Sequence, residues 1–151
     1  MKKISVIFVL LLALASLNGC GKTPPAPEPE KSAWEFTVGA KVFTIEGLKE
    51  MKSVTLDLEM KGEVSSYTGV PLFELLAEAG VEDFQTLVLE AEDGYTGQVT
   101  REEALHKNSI LCYALNGGEL NKEKHAPLMF ASELASTQVW VGKLKHVRVG
   151  E

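Results

Sequence analysis

The thiol and imidazole side chains are the first candidates for chemistry in this sequence, and their spacing argues against a metal centre. The chain has two cysteines, Cys20 and Cys112, which are too far apart for a Cys-x-x-Cys motif. The three histidines, His106, His125 and His146, are equally scattered, so no His-x-x-His pair exists. This pattern predicts surface or capping histidines and no metal site.

Cys112 and the serines have ordinary structural explanations. Cys112 lies inside the apolar run 110–115, which is typical of a buried strand, where a free cysteine behaves as a small hydrophobic side chain. A redox or ligand role would require this thiol to face a cleft, and alternation cannot decide the question because both faces of the run are apolar. Ser65 and Ser66 lie in no nucleophile elbow, so no hydrolase is predicted.

Cys20 has a different context, because it follows an N-terminal signal sequence. Two lysines precede an apolar run over residues 4–17, which is shorter than the roughly 20 residues of a membrane-spanning helix. The following Leu17-Asn18-Gly19-Cys20 resembles the lipobox of bacterial lipoproteins, in which the cysteine is acylated and the chain is cut before it. We expect a signal peptide at residues 1–19 and a lipid-anchored protein of the cell envelope, on the extracytoplasmic side of the membrane. Ordinary secretion and an uncleaved anchor helix are the alternatives.

The rest of the chain divides into a stalk and one domain. Residues 20–33 carry the lipidated Cys20 and are rich in Pro and Glu, which predicts an extended, solvated stalk. Residues 34–151 are long enough for one domain with its own core. The formal net charge of −6 becomes still more negative without Lys2 and Lys3. Such a charge repels nucleic acid and anionic headgroups, so we expect the lipid to make the membrane contact and nucleic acid not to be a partner.

The hydrophobic pattern of the domain predicts the α+β class, with a strand-rich mixed sheet in a meander-like arrangement and two or three short helices. Alternation predicts a hairpin of strands 34–38 and 41–45 around residues 39–40, and a half-buried strand over 54–60. Pro71 is expected to open a helix that Gly80 closes, and Thr100 to cap another one. Strands at residues 87–91 and 97–99 are predicted to form a second hairpin across an Asp93-Gly94 turn, and the remaining strands are predicted at 110–115, 128–131 and 144–149.

Several short sequence motifs occur in order along the domain. They are Tyr67-Thr68-Gly69-Val70-Pro71-Leu72-Phe73-Glu74-Leu75-Leu76, Ala79-Gly80, Ala91-Glu92-Asp93-Gly94-Tyr95, Ala114-Leu115-Asn116-Gly117-Gly118-Glu119-Leu120 and Ala126-Pro127-Leu128. Together they resemble the molybdopterin-binding domain of sulfite-oxidase-type oxidoreductases, over about residues 54–149. The resemblance implies that fold, whereas function depends on particular site residues.

The chain departs from the family's catalytic members at those site residues. The resemblance implies a molybdenum-binding Cys between the strand at 54–60 and the motif that begins at Tyr67. This chain has no Cys there. Met129 replaces an Arg that usually follows Pro-Leu in the family. The signal carries Lys2-Lys3 and no Arg pair, and a Sec-type signal exports an unfolded chain that cannot carry a preloaded pterin. We therefore expect no cofactor, with molybdopterin as the alternative.

Two functions of different classes remain. One is a non-catalytic module that binds a small ligand or a membrane redox protein, with Tyr67, Asp93, Tyr95 and His125 as candidate contacts at the cleft. Each of these residues also has a plain explanation as a turn or strand-end residue. The alternative is a molybdopterin-dependent oxidoreductase, or an accessory subunit of one, in which an atypical ligand such as Cys112 replaces the missing thiolate.

Overall fold

The computed structural model describes residues 33–151. The predicted signal peptide at 1–19, the lipid on Cys20 and the stalk up to residue 32 lie outside the described residues and stay predictions. Within residues 33–151, no helix is both long enough and apolar enough to cross a bilayer.

Short strands joined by tight turns make up most of the described chain, as the alternating hydrophobic pattern predicts. The strands are β1 (Glu35–Val38), β2 (Lys41–Thr44), β3 (Val54–Met60), β4 (Glu63–Pro71), β5 (Thr86–Ala91), β6 (Thr96–Thr100), β7 (Ser109–Leu115), β8 (Gly118–Glu119), β9 (Met129–Ser132) and β10 (Leu144–Val149). The helices are α1 (Ile45–Glu50), α2 (Leu72–Glu78), α3 (Arg101–Leu105) and a short 3-10 helix at Thr137–Val139.

The strands form two sheets. The first has the order β2-β1-β10-β5-β6 and is mixed, because β1 and β10 run parallel while its other pairs are antiparallel. The second has the order β3-β4-β7-β8 and is antiparallel, with β9 also paired to β7. The predicted α+β class, rich in strands and with three short helices, is confirmed. The sequence does not reveal that the strands divide between two sheets, since that division depends on long-range pairing.

Both predicted hairpins are present, but the first ends one residue earlier than expected. β1 pairs with β2 across residues 39–40, and β5 pairs with β6 across the Asp93-Gly94 turn. Ile45, predicted as the last residue of β2, instead begins α1. The reason is local: the Thr44 side chain accepts a hydrogen bond of 3.1 Å from the Gly47 amide and so caps the helix.

The helix α2 supports the second sheet and buries one face. Leu75 is fully buried, together with Leu72 and Leu76. Pro71 is both the last residue of β4 and the N-cap of α2, so the helix begins where the sequence predicts. Gly80, at φ +69°, ends it: its amide donates to the carbonyl of Ala77, and the next amide donates to Leu76, a Schellman motif.

The second sheet is buried on both faces at its centre. A larger core cluster lies between the two sheets and contains Leu111 from β7 and Phe130 from β9. A smaller cluster, the second core, covers the opposite face and contains Cys112 and Met129. Successive residues of one strand therefore enter different cores, which explains why the run at 110–115 is apolar without alternation.

Strands β4 and β7 approach very closely at Gly69. A Cβ atom at this position would lie 2.2 Å from the carbonyl oxygen of Leu111 and 2.5 Å from the Cα of Cys112. The pairing also shifts register between Thr68 and Gly69. Only glycine therefore permits this contact between the two strands.

Candidate functional site

A cleft of about 580 Å³ lies beside the β3–β4 hairpin. Its other wall is the segment that follows β9 and leads into the 3-10 helix. The lining residues are Asp57, Leu58, Glu59, Val64, Ser132, Glu133, Leu134, Ala135, Ser136, Thr137 and Trp140. The two walls are far apart in sequence, so only the folded chain forms this cleft.

Hydrogen bonds hold the wall after β9 in place. The hydroxyl of Ser132, which is buried, accepts from the amides of Leu134 at 3.1 Å and Ala135 at 3.0 Å. It also shares a hydrogen bond of 2.7 Å with the Ser109 hydroxyl. Further along, the indole Nε1 of Trp140 donates to the carbonyl of Ala135 at 3.3 Å. These bonds tie the segment to β7 and to itself, so this side of the cleft is formed before any ligand binds.

The apolar side chains of the cleft lining include both buried and exposed residues. Leu58 and Trp140 are buried and belong to the second core. Trp140 packs edge-on against Tyr67, with ring centroids 5.7 Å apart and an interplanar angle of 86°. Val64 and Leu134 are 64% and 46% exposed, which leaves apolar surface open to solvent among the lining residues. The cleft can therefore bury part of an apolar group.

The charge of the cleft is negative. Its lining includes Asp57, Glu59 and Glu133, and no lining residue is Lys or Arg. Asp57 accepts a hydrogen bond from the Ser66 hydroxyl, and Glu133 accepts one from the Asn108 side chain. A site with this charge disfavours anions and attracts cations. The lining therefore does not suit an anionic group.

None of the four predicted contact residues lines the cleft. Tyr67 lies in the second core against Trp140, and burial is the main cause that raises the pKa of its phenol. Asp93 accepts a hydrogen bond of 3.0 Å from the Tyr95 amide in the β5–β6 turn. Asp93 and Tyr95 therefore stabilise a turn, which is the alternative to ligand contact that the sequence analysis gives for them.

Tyr95 and His125 contact the segment that carries Trp140. The Tyr95 hydroxyl donates to the carbonyl of Gln138 at 2.7 Å, although its side chain is half exposed. The carbonyl of His125 accepts from the Lys143 amide at 3.0 Å. Burial, followed by the nearby charges of Lys124 and Lys61, lowers the pKa of the His125 imidazole. These contacts support the segment from outside the cleft, and a direct ligand contact for the four residues stays a prediction.

The residues that could hold molybdenum do not fit that metal. The β3–β4 hairpin, where the family resemblance implies a thiolate, contains no Cys. Cys112 is fully buried in the second core, with a solvent exposure of 0%. This burial raises the pKa of its thiol to about 12. Its Sγ donates a hydrogen bond of 3.1 Å to the carbonyl of Met129. A protonated thiol that is enclosed and outside the cleft cannot act as a soft thiolate ligand.

The position expected to bind an anion is also unsuitable. Met129 is 1% exposed, and it lies in the second core beside Cys112. Arg101 donates to the carbonyls of Glu82 and Phe84, and Arg148 pairs with Glu90. Both arginines of the chain therefore have structural contacts. Among residues 33–151, no group of three or more His, Cys, Asp or Glu side chains is placed to hold a metal ion.

Sequence reasoning misses the wall after β9. Ser132, Glu133 and Leu134 follow a buried strand and have no periodic pattern, so they have the sequence character of an ordinary loop. No motif in residues 132–137 signals a cleft, so the sequence alone offers no way to find this wall.

Two comparisons with known proteins bear on this architecture. The family described as oxidoreductase molybdopterin binding domain matches residues 23–150. The fold is similar to the crystal structure of the sulfane dehydrogenase SoxCD from Paracoccus pantotrophus, with a TM-score of 0.67 and 21% sequence identity. The match covers 77% of this chain and 38% of that chain, so this chain spans well under half the length of its structural relative. None of the curated protein sequences matches this chain significantly.

Proposed function

The chain belongs to the oxidoreductase molybdopterin binding domain family, and from that premise we propose that it acts as a lipid-anchored, extracytoplasmic binding module without molybdenum chemistry. The module presents its cleft to a small ligand or to a membrane redox protein. The lipid on Cys20 holds it on the outer side of the membrane, in the cell envelope. No nucleic acid is involved.

The environment of Cys112 is the observation that carries this proposal. It is the one thiol in residues 33–151, and it is enclosed in the second core with a pKa of about 12. The family's chemistry uses a thiolate that is accessible to the metal, and burial in apolar surroundings works against that state. The acidic lining of the cleft favours the same proposal, because it disfavours the anionic groups that such enzymes bind.

A second candidate is a molybdopterin-dependent oxidoreductase, or an accessory subunit of one, with an atypical metal ligand. Family membership favours it, since the matched region spans nearly the whole domain. Metal analysis separates the two candidates. The protein is produced with its own signal in a host that makes the molybdenum cofactor, beside a molybdopterin enzyme of that host as the control for cofactor supply.

We expect the control enzyme to contain molybdenum and this protein to contain neither molybdenum nor pterin in stoichiometric amount. About one molybdenum per chain, with pterin fluorescence after denaturation, would refute the proposal. In that case the enzyme candidate replaces it.

The anchor has its own test, in which the two cysteines serve as a matched pair. Cys20→Ala removes the acylation site, so we expect this variant to leave washed membranes while remaining folded. Cys112→Ala removes the other thiol and should stay with the membranes. Retention of Cys20→Ala in the membrane fraction would indicate that the apolar segment at residues 4–17 is the anchor.

A further inference from the structure

The outer edge of β3 is open to pairing. β3 is the terminal strand of the second sheet, and no strand within residues 33–151 pairs with its outer side. The β3–β4 hairpin closes with a two-residue turn, Lys61-Gly62, in which both φ angles are positive at +53° and +85°. This turn type makes Met60 and Glu63 a hydrogen-bonded pair.

Alternation along the hairpin then determines which backbone groups are free. Every second residue of β3, counted from Met60, bonds to β4. The intervening residues Thr55, Asp57 and Glu59 therefore direct their N–H and C=O groups away from β4, toward the open edge. Three residues of one seven-residue strand thus offer backbone donors and acceptors to another strand.

The cleft lies along this same edge. Asp57 and Glu59, which present free backbone groups, also line the cleft, and Glu133 lies on its other wall. Val64 and Leu134, which are exposed, supply apolar surface among these carboxylates. An extended chain paired with β3 would lie beside both the carboxylates and the apolar side chains. Charge complementarity therefore selects a chain with cationic side chains next to aliphatic ones.

We propose that the cleft binds an extended protein segment, in which Lys or Arg alternates with aliphatic residues, as an additional strand on the outer edge of β3. This inference rests on the proposed function and specifies its partner. A small cation would satisfy the carboxylates but would leave the backbone groups of Thr55, Asp57 and Glu59 unused. Acidic edge residues often serve only to prevent strand pairing, and the experiment below separates that role from recognition.

The probe is the peptide acetyl-Lys-Val-Lys-Val-Lys-amide, added to the full-length chain in mild detergent. Amide hydrogen exchange is followed residue by residue by NMR. We expect saturable binding that slows exchange at Thr55, Asp57 and Glu59, because the added strand would bond to these amides. A copy of the peptide that is N-methylated at every residue keeps the charges and the carbonyl acceptors. Its methyl groups block close approach to β3 and leave the edge carbonyls without donors, so it should not pair with the strand or protect these amides.

Charge selection is tested with matched variants. Glu59→Gln should weaken binding of the lysine peptide about two- to fivefold, the range of an exposed ion pair. Glu63→Gln makes the same change on the neighbouring strand, outside the cleft lining, and should leave binding nearly unchanged. The peptide acetyl-Glu-Val-Glu-Val-Glu-amide should bind more weakly than the lysine peptide, and added salt should reduce that difference.

Unchanged exchange at the three edge amides under saturating lysine peptide would overturn the proposal, whether or not the peptide binds elsewhere. Equal binding of the lysine and glutamate peptides would also overturn it. Molybdenum content is measured on the same sample. A metal-free chain without edge protection refutes only the strand-addition inference, whereas stoichiometric molybdenum refutes the proposed function.

Discussion

Alkylation of Cys112 tests the central argument that this thiol cannot serve as a metal ligand. In a Cys20→Ala chain, Cys112 is the sole thiol, because the sequence has two cysteines. An ordinary cysteine has a pKa of about 8.5, so roughly a quarter of it is thiolate at pH 8. Burial raises the pKa of Cys112 to about 12. The thiolate fraction at pH 8 is then lower by about three orders of magnitude.

The assay compares iodoacetamide modification of the native and the urea-unfolded chain by intact mass. We expect the native chain to react at least about a thousandfold more slowly, because low thiolate content and complete burial act together. A native rate within tenfold of the unfolded rate would show an accessible thiolate and refute the reasoning.

Stability at alkaline pH provides a second measurement of the same property. The folded-state pKa of Cys112 is raised, so the unfolded chain loses its thiol proton first as the pH increases. The stabilising contribution is therefore complete below about pH 8.5 and is lost as the pH rises toward 12, by about 1.4 kcal/mol per unit. Between pH 8 and 10 the Cys20→Ala chain should lose about 2 kcal/mol more than the same chain with Cys112→Ala. Equal losses in the two chains would indicate that the folded thiol titrates normally.

Three further variants test the scaffold and one imidazole. Leu75→Ala empties a fully buried position in α2 and should reduce the free energy of unfolding by about 2–5 kcal/mol. The control Glu74→Ala changes an exposed residue of the same helix and should alter that free energy little. A loss under about 0.5 kcal/mol for Leu75→Ala would place that side chain on the surface. Thr100→Ala removes the capping box of α3 and should cost about 0.5–2 kcal/mol in urea denaturation, and an unchanged midpoint would contradict that role. The pKa of His125 is lowered chiefly by burial, so its contribution to stability is present above about pH 6.5 and is lost as the pH falls below that value. His125→Gln should therefore lose less stability than the parent chain between pH 7 and 5, and identical profiles would argue against the shift.

Local patterns predict the elements that carry their own signals. The hairpin at residues 39–40, the capping box at Thr100 and the helix end at Gly80 all depend on a few neighbouring residues, and the structure has each of them. The sequence analysis does not predict β4, because the first half of this strand is mostly polar and exposed and the strand ends in proline. Pairing with β3 and β7 makes this segment a strand, and such long-range pairing leaves no period in the sequence.

The same reason limits what the sequence can reveal about the site. The family resemblance correctly predicts the fold, and it directs attention to the β3–β4 segment that forms one wall of the cleft. The opposite wall, residues 132–137, comes from a region without any recognisable motif. Cys112 illustrates the limit most directly. Its orientation depends on which face of β7 meets which core, and this is decided by packing rather than by neighbouring residues.

The close contact at Gly69 affects how this family can be recognised. Any side chain at this position would collide with the backbone of β7. The fold itself therefore requires the glycine of the Thr-Gly-Val motif. Selection for folding alone would then preserve this glycine, whether or not a metal ligand is present. Under the proposed function, a genome survey that identifies members by this motif would collect enzymes and metal-free members alike. The presence of a cysteine in the β3–β4 hairpin would be the additional criterion that separates the two groups.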